Sequence, residues 1–553
     1  MFEIAVLIGI YSYLIFFLGI FGLLYTSVIF YISIIFFLSP ILFYHKTIVQ
    51  YCTIVFSKIT HVFSYKRLFR IILSNKFVSF LVLLLTIQVA VNLIGAFGPE
   101  LAFDALWYHL TIPKIFLINH KIFYIPGGLL YYSVMPKLAD LLYIPALAFG
   151  NEITAKLIHF SFGILTCIAL YKLSRKFFNG LISFLVVLIF YSNLVIDWES
   201  ITAYIDLART FFELMALWGF INWWEKGKLK WLIASAVMIG FAVCVKLLAL
   251  GSLLIFTVLI LYKHIIIDRQ RWVVQSTKDI LIYWYISIFL IIPWLVFSFV
   301  NTGSPVYPFF SHIYNIKISI AFLDPFYFIK NIWMLFTHAA DPISPIYIIF
   351  LPLIIYFFRS LKKEIRVIML YSFLSLVVWY ITPRTGGGRF IMPYLPAFSI
   401  IIGAVLERIL SYKKFNLLKI ICLQLVITVS TISILYRGIA NFKYLPVILG
   451  QETKSEFLTK HLNFSFGDFY DINSGIKNIV GNHKVLLYGF HNLYYVDFPF
   501  VDSSFVNKGE KFNYVATQSV ALPARFADLK IVYSNPITYV KLYRESNNRW
   551  ISY

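Results

Sequence analysis

The chain has 553 residues, of which 60% are hydrophobic and 19% aromatic, whereas only 13% are charged. No soluble globular class has that balance, so the composition indicates a polytopic membrane protein. The formal net charge of +22 would suggest nucleic acid as the partner of a soluble protein. In a membrane protein it instead raises the question of which side the basic loops face, and we expect no nucleic-acid partner.

Apolar runs long enough to cross a hydrocarbon core of about 30 Å recur along the chain to about residue 436. The first run has no basic stretch before it and leads directly into a second run, so it predicts two spans rather than a signal peptide. In total we predict about thirteen spans. They lie at 3–21, 24–44, 77–97, 152–171, 180–196, 205–223, 231–246, 248–263, 280–299, 344–358, 366–382, 391–409 and 417–436.

The pattern divides the chain into three parts. Residues 1–76 hold two spans and a basic segment, and residues 77–436 form a transmembrane module. In residues 437–553 the strand-like runs "KVLLYG", "LKIVYSN" and "TYVKLYRE" and the helix-like run "ETKSEFLTKHL" predict a small α/β domain. The predicted fold class is therefore mainly α, a polytopic helical bundle with interfacial helices and a small C-terminal α/β domain.

Alternate loops are basic, among them "KLSRKF", "EKGKLK" and "RSLKKEIR". Basic loops stay in the cytoplasm, so the N-terminus is predicted to be cytoplasmic and the C-terminal domain extracytoplasmic, in a multi-pass protein of the plasma membrane. The acidic loops then share the outer face.

The stretch "FGPELAFDALWYHLTIPKIF", residues 97–116, puts Glu100 and Asp104 directly after the third span. Its apolar residues have helical spacing and predict an interfacial helix. In one interpretation Asp104 and His109 are only the solvated face of that helix, and in the other they carry chemistry.

The second acidic stretch is "DWESITAYIDLART", residues 197–210. Asp206, Arg209 and Glu213 share one face of the sixth predicted span, where ionisable groups are costly unless they pair or line a wet cavity. An ion pair between Asp206 and Arg209 would satisfy two of them. It would leave Glu199 unexplained.

Three cations are predicted on the same side. Lys246 interrupts a long apolar run, and Arg384 and Arg389 flank three glycines in "PRTGGGRF". Glycine lets backbone amides approach an anion, and arginine grips phosphate with two hydrogen bonds. Carboxylates facing such cations suit a reaction with a phosphate leaving group, in which an acid residue serves as base and Lys and Arg stabilise the departing charge. Asp and Glu also suit a divalent metal, and the sequence leaves that cofactor open.

In this order, five pieces of the chain resemble the GT-C superfamily of polytopic glycosyltransferases, particularly the protein O-mannosyltransferases and the aminoarabinose transferases of lipid A. The resemblance covers about residues 77 to 410. The pieces are "FDALWYHLTIPKIF", "TAYIDLARTFFELMALW", "WLIASAVMIGFAVCVKLLAL", "NTGSPVYPFF" and "GGGRFIMPYLPA". The resemblance implies transfer of a sugar from a polyprenyl-phosphate donor at the outer face, with inversion. It places Asp104 at the family's catalytic carboxylate and Asp206 in its second acidic element. The chain lacks the Asp-Glu dipeptide of the eukaryotic O-mannosyltransferases and has two extra spans before the module.

The leading hypothesis is therefore a glycosyltransferase in which Asp104 is the general base and Asp206 and Glu199 orient it, the sugar or a metal. Lys246, Arg389 and Arg384 would bind the donor phosphate, and Tyr108 and His109 would support the site. The partners are the lipid-linked donor, membrane lipids and an acceptor whose identity the sequence does not give. A shared site requires Asp104 within about 15 Å of Asp206 or Arg389. A transporter or flippase of lipid-linked sugars and a non-catalytic scaffold remain alternatives.

Overall fold

The computed structural model describes residues 1–43, 76–268, 272–311, 313, 324–382, 387–412, 416–545 and 550–553. The basic part of the predicted segment 1–76 and the predicted phosphate contact Arg384 lie outside these ranges. Helices make up most of the described chain, as predicted, and strands occur only in its C-terminal part among the residues just given.

Each predicted span overlaps a helix, and the chain is a multi-pass membrane protein. Within the described residues, 8 helical segments are long and apolar enough to cross a membrane. They are Phe2–Ile20, Lys76–Phe97, Glu152–Ser174, Leu247–Ile266, Val273–Thr302, Lys363–Ile381, Met392–Ser411 and Asn416–Ile448. Shorter apolar helices are Thr26–Leu38, Ala105–Ile118, Asp140–Phe149, Gly180–Tyr191, Leu229–Val245 and Ile346–Ser360.

The helix Asp206–Lys226 lies at the centre of the bundle, and nearly all of its residues are buried. It packs against the helices Leu229–Val245 and Glu152–Ser174. The close approach to the first of these depends on Gly219, where a Cβ atom would lie 3.0 Å from the backbone nitrogen of Ser235. Small residues at such contacts are typical of membrane helices. The N-terminus of this central helix therefore brings Asp206 into the middle of one end of the bundle.

Seven strands lie in the described residues of the C-terminal part. They are β1 Val485–Tyr488, β2 Phe500–Asp502, β3 Lys511–Phe512, β4 Tyr514–Gln518, β5 Lys530–Asn535, β6 Val540–Arg544 and β7 Ile551–Ser552. Five of them form a sheet in the order β2-β1-β4-β6-β5, while β3 pairs with β7. Strand β1 runs parallel to β2 and β4, with Leu486 opposite Val501 and Val515, whereas β6 runs antiparallel to β4 and β5.

The predicted α/β character of this part is confirmed. The three strand-like runs form β1, β5 and β6, and the helix-like run forms Lys454–His461. That helix begins with a capping box, because Thr453 accepts a hydrogen bond from the backbone of Glu456 and the Glu456 carboxylate reaches back to Thr453.

Candidate active site

The loop after helix Lys76–Phe97 is anchored by two buried charges. Glu100 is 1% exposed and accepts hydrogen bonds from the backbone N–H groups of Leu101, Ala102 and Ala203, at 2.9, 2.8 and 2.6 Å. Lys156 donates to the carbonyls of Gly95, Gly98 and Pro99. Glu100 therefore serves the loop backbone, and it is Asp104 that remains available for chemistry.

Asp104 pairs with Arg389, 285 residues further along the chain. Arg389 donates from Nη1 to Asp104 Oδ2 at 2.8 Å, and the two side chains are 14% and 17% exposed. The backbone N–H of Asp104 donates to Tyr204 Oη at 3.1 Å, and the Arg389 guanidinium lies 5.1 Å from the centre of the Tyr204 ring. The predicted proximity of Asp104 and Arg389 is thus met by direct contact.

A second ion pair joins Lys246 to Asp206. Lys246 ends the helix Leu229–Val245 and donates from Nζ to Asp206 Oδ1 at 2.7 Å. The ion pair considered between Asp206 and Arg209 is replaced by another arrangement, because Arg209 pairs with Glu213 at 3.3 Å. With Lys246 on Asp206, the two pairs satisfy the charges on this face of the central helix.

Glu199 is fully buried at the end of the short helix Leu194–Glu199. Its Oε2 lies 3.8 Å from His159 Nε2, and neither carboxylate oxygen has a hydrogen-bond partner within the described part of the chain. His159 itself holds the following loop, since its Nε2 accepts from the Leu207 N–H at 3.0 Å and its Nδ1 bonds the Thr202 carbonyl at 2.9 Å. His159 therefore holds the backbone on both sides of Asp206 in place.

The described glycines before Arg389 serve close packing of the backbone. Gly388 donates its N–H to the Asp341 carbonyl at 3.1 Å, and a Cβ atom at Gly388 would lie 2.1 Å from that oxygen. At Gly387 a Cβ atom would lie 2.7 Å from Ala339. The expectation that glycine amides face an anion is therefore not met at Gly388, whose amide is occupied by Asp341.

A cavity of about 490 Å³ opens at this end of the bundle. Its wall includes Asp104, Lys246 and Arg389, and also Tyr108 and His109. Pro308 and Phe309 of the "NTGSPVYPFF" loop and Phe390 also line it. Asp206 and Glu199 do not contribute to this wall, which has Ile205 beside Asp206. Of the carboxylates predicted as catalytic, the cavity thus exposes Asp104.

Two further charged residues, Lys137 and Asp140, line the same wall and were not predicted from the sequence. Asp140 is 2% exposed and accepts from Lys137 Nζ at 2.9 Å, and its other oxygen lies 2.8 Å from His109 Nδ1. The sequence signal for this ion pair was the opposite charges three residues apart in "KLAD". His109 is therefore held by a carboxylate, which fits its predicted supporting role.

The charges around Arg389 determine its protonation. Burial acts to lower the pKa of Arg389, but the carboxylates of Asp206, Asp104 and Glu199 outweigh it and hold that pKa above its ordinary value. Arg389 is therefore a permanent cation in the cavity wall.

Over the described residues, no group of three or more His, Cys, Asp and Glu side chains is arranged to hold a metal ion.

Part of the chain matches the model of a protein family, and the fold is similar to solved structures. Residues 141–297 match the family described as dolichyl-phosphate-mannose-protein mannosyltransferase. The fold is similar to the crystal structure of ArnT from Cupriavidus metallidurans in the apo state, with a TM-score of 0.56, 12% identity, and coverage of 85% of this chain and 98% of that one. The same protein bound to undecaprenyl phosphate matches with a TM-score of 0.55 and 13% identity over 84% and 98% of the two chains. No curated protein matches the sequence.

Proposed function

We propose that this chain is a membrane glycosyltransferase of the GT-C superfamily, which transfers a sugar from a polyprenyl-phosphate donor to an acceptor hydroxyl with Asp104 as the general base. One observation carries the proposal: a single cavity is lined by the Asp104 carboxylate together with the cations Lys246 and Arg389. The relative of the same fold that binds undecaprenyl phosphate supports a lipid phosphate as the anion that these cations meet.

The proposed reaction is a single displacement at C1 of the sugar. The acceptor oxygen attacks C1, its proton passes to Asp104, and the C1–O bond to phosphate breaks with its electron pair staying on the phosphate oxygen. Lys246 and Arg389 stabilise the charge that develops on that oxygen. Attack from the face opposite to the leaving group inverts the configuration at C1.

The ion pair with Arg389 is compatible with the role of Asp104. Arg389 holds only Oδ2 of the carboxylate, at 2.8 Å. Among the described residues no donor occupies Oδ1, which leaves that oxygen for the acceptor hydroxyl. The pair therefore orients the base in the cavity wall.

The roles of the other predicted residues follow from their positions. Asp206 holds Lys246 at 2.7 Å, so we assign it to placing that phosphate contact. Burial and the nearby Asp206 carboxylate raise the pKa of Glu199, and we assign this buried side chain to supporting Asp206 from within the bundle. Tyr108 lines the cavity, and His109 is fixed by Asp140. No step of this mechanism needs a metal. The donor and acceptor meet at the extracytoplasmic face in this proposal, because the basic loops predict that orientation.

The test is release of polyprenyl phosphate from a polyprenyl-phosphate sugar in native membranes. Asp104→Asn keeps the size of the side chain and one acceptor oxygen for Arg389 but removes the base, so we expect transfer to fall by about 10² to 10⁴ while the donor still binds. Asp528→Asn is the matched control, since Asp528 is exposed in the C-terminal part and far along the chain from the cavity residues.

Unchanged transfer by Asp104→Asn would show that Asp104 is not the general base. The same assay separates the rival function, because a flippase would move the labelled donor across the membrane without releasing polyprenyl phosphate. A protein without catalytic activity would do neither.

A further inference from the structure

The segment that carries Asp104 has two faces. Asp104, Tyr108 and His109 line the cavity. Phe103 and Trp107 instead meet two rings of the C-terminal part, Phe466 and His491. We call these four rings the aromatic cluster. The aromatic cluster thus packs on the face of the Asp104 segment that does not line the cavity.

Within the aromatic cluster the rings of Trp107 and His491 stack. Their centres are 5.1 Å apart and their planes differ by 3°. Phe103 packs edge-on against Trp107 at 4.6 Å, and Phe466 lies 5.4 Å from both Phe103 and His491. Such pairs contribute about 0.5–1.5 kcal/mol beyond their buried area. The cluster therefore joins two distant parts of the chain by specific geometry.

The Asp104 N–H donates to Tyr204 Oη, and the backbone after it forms an irregular turn. Asp104 precedes a π-helical turn of 5 residues, Ala105–His109, and makes no side-chain cap. Single π turns are rare and are retained mostly at functional sites, because their wide hydrogen-bonded rings are not stable alone. The position of the Asp104 carboxylate therefore depends on what packs against this turn.

In the C-terminal part, the backbone packs tightly around His491. The His491 N–H donates to the Gly467 carbonyl at 3.0 Å. Gly467 and Gly489 have φ values of +104° and +80°, which only glycine adopts readily. A Cβ atom at Gly467 would also lie 2.9 Å from the His491 ring. Two glycines thus fold this loop tightly around one imidazole.

Further contacts hold the same two parts together. The Tyr494 N–H donates to the Leu106 carbonyl at 3.3 Å. Lys114 donates to the carbonyls of Tyr494 and Val496 at 2.7 and 2.6 Å. The Phe103–Phe466 and Trp107–His491 ring contacts lie on either side of Asp104 in the sequence, and both come from side chains of the C-terminal part.

From this arrangement we infer that His491 is a positioning residue, which fixes the turn at Trp107 and thereby holds the Asp104 carboxylate against Arg389. The inference rests on the proposed function, because it assigns His491 to the placement of that base. In this inference, residues 464–491 affect the reaction indirectly, by positioning Asp104, and contact neither substrate.

The test compares His491→Ala with His491→Phe in the polyprenyl-phosphate release assay. Misplacing a catalytic group by about 1 Å can cost about 10²-fold in rate, so we expect His491→Ala to lower kcat by about tenfold to a hundredfold. Lys246 and Arg389 remain in place, so the KM for the donor should change by less than about twofold. His491→Phe retains a flat aromatic ring and should recover most of the lost kcat.

His483→Ala is the matched control, because His483 is an exposed histidine of the same part of the chain. A wild-type kcat in His491→Ala would overturn the inference, and so would a raised KM for donor or acceptor at unchanged kcat, which would make the residue a substrate contact. Failure of His491→Phe to recover kcat, with the protein folded, would also overturn it. Asp104→Asn in the same series separates the two proposals, since an active Asp104→Asn rejects the base itself.

Discussion

Lys246 and Asp206 form an ion pair whose members are 21% and 2% exposed, and the removal of either should be costly. In Lys246→Met the Asp206 carboxylate stays buried without its partner. Breaking a buried pair in this way destabilises proteins by about 3–5 kcal/mol, and we expect a loss near the lower end because Lys246 is partly exposed. Thermal unfolding of the purified protein measures this loss of stability.

The double variant Lys246→Met with Asp206→Asn separates folding from chemistry. It removes both charges, so most of the stability should return, whereas donor binding should stay weak because a phosphate contact is gone. If the double variant were as unstable as Lys246→Met, the pair would not be the cause of the loss. If it bound donor as well as the wild type, Lys246 would not contact phosphate.

Single residues show how far the sequence could predict the site. Asp104, Lys246 and Arg389 stand out because a charge beside an apolar span is costly and needs a reason. Partners are harder to predict, because Arg209 has carboxylates at spacings of both three and four residues. It pairs with Glu213, since Lys246 arrives from another helix to occupy Asp206. Spacing along one helix cannot reveal that contact.

At the scale of elements, Arg389 is placed by the short turn Gly388–Phe390. Gly388→Ala would put a Cβ atom 2.1 Å from the Asp341 carbonyl and so force the turn away from it. We expect loss of donor binding together with lower thermal stability, since Arg389 moves with the turn. Steady-state kinetics and thermal unfolding measure the two effects.

Gly438→Ala is the matched control for Gly388→Ala. Gly438 lies inside the helix Asn416–Asn441, where the nearest atom to an added Cβ is 3.9 Å away. Alanine favours a helix over glycine by about 1 kcal/mol, so this variant should be at least as stable as the wild type. Full activity of Gly388→Ala would mean that the turn does not fix Arg389.

Elements were predictable where periodicity or length was distinctive. The apolar runs predicted the helices, because crossing a bilayer requires about 20 apolar residues. In the C-terminal part β1, β5 and β6 were predicted, but β2 and β4 were missed. Strand β2 has 3 residues, and β4 lies between β1 and β6 with all of its residues buried. A strand buried on both faces lacks the polar alternation that marks a strand in sequence.

At the scale of the whole molecule, the sequence predicts about thirteen spans, and an odd number would place the two ends of the chain on opposite sides of the membrane. With the basic loops in the cytoplasm, as the charge pattern predicts, the cavity and the C-terminal part would lie outside. We expect a cysteine at Asp528, which is exposed in the C-terminal part, to react with a membrane-impermeant maleimide in intact cells. A cysteine at Lys228, in the exposed basic turn between two helices, should react only after the cells are permeabilised. The parent protein gives the background labelling of the natural cysteines. The reverse pattern would put the cavity in the cytoplasm, and the donor would then have to be presented from the inner leaflet.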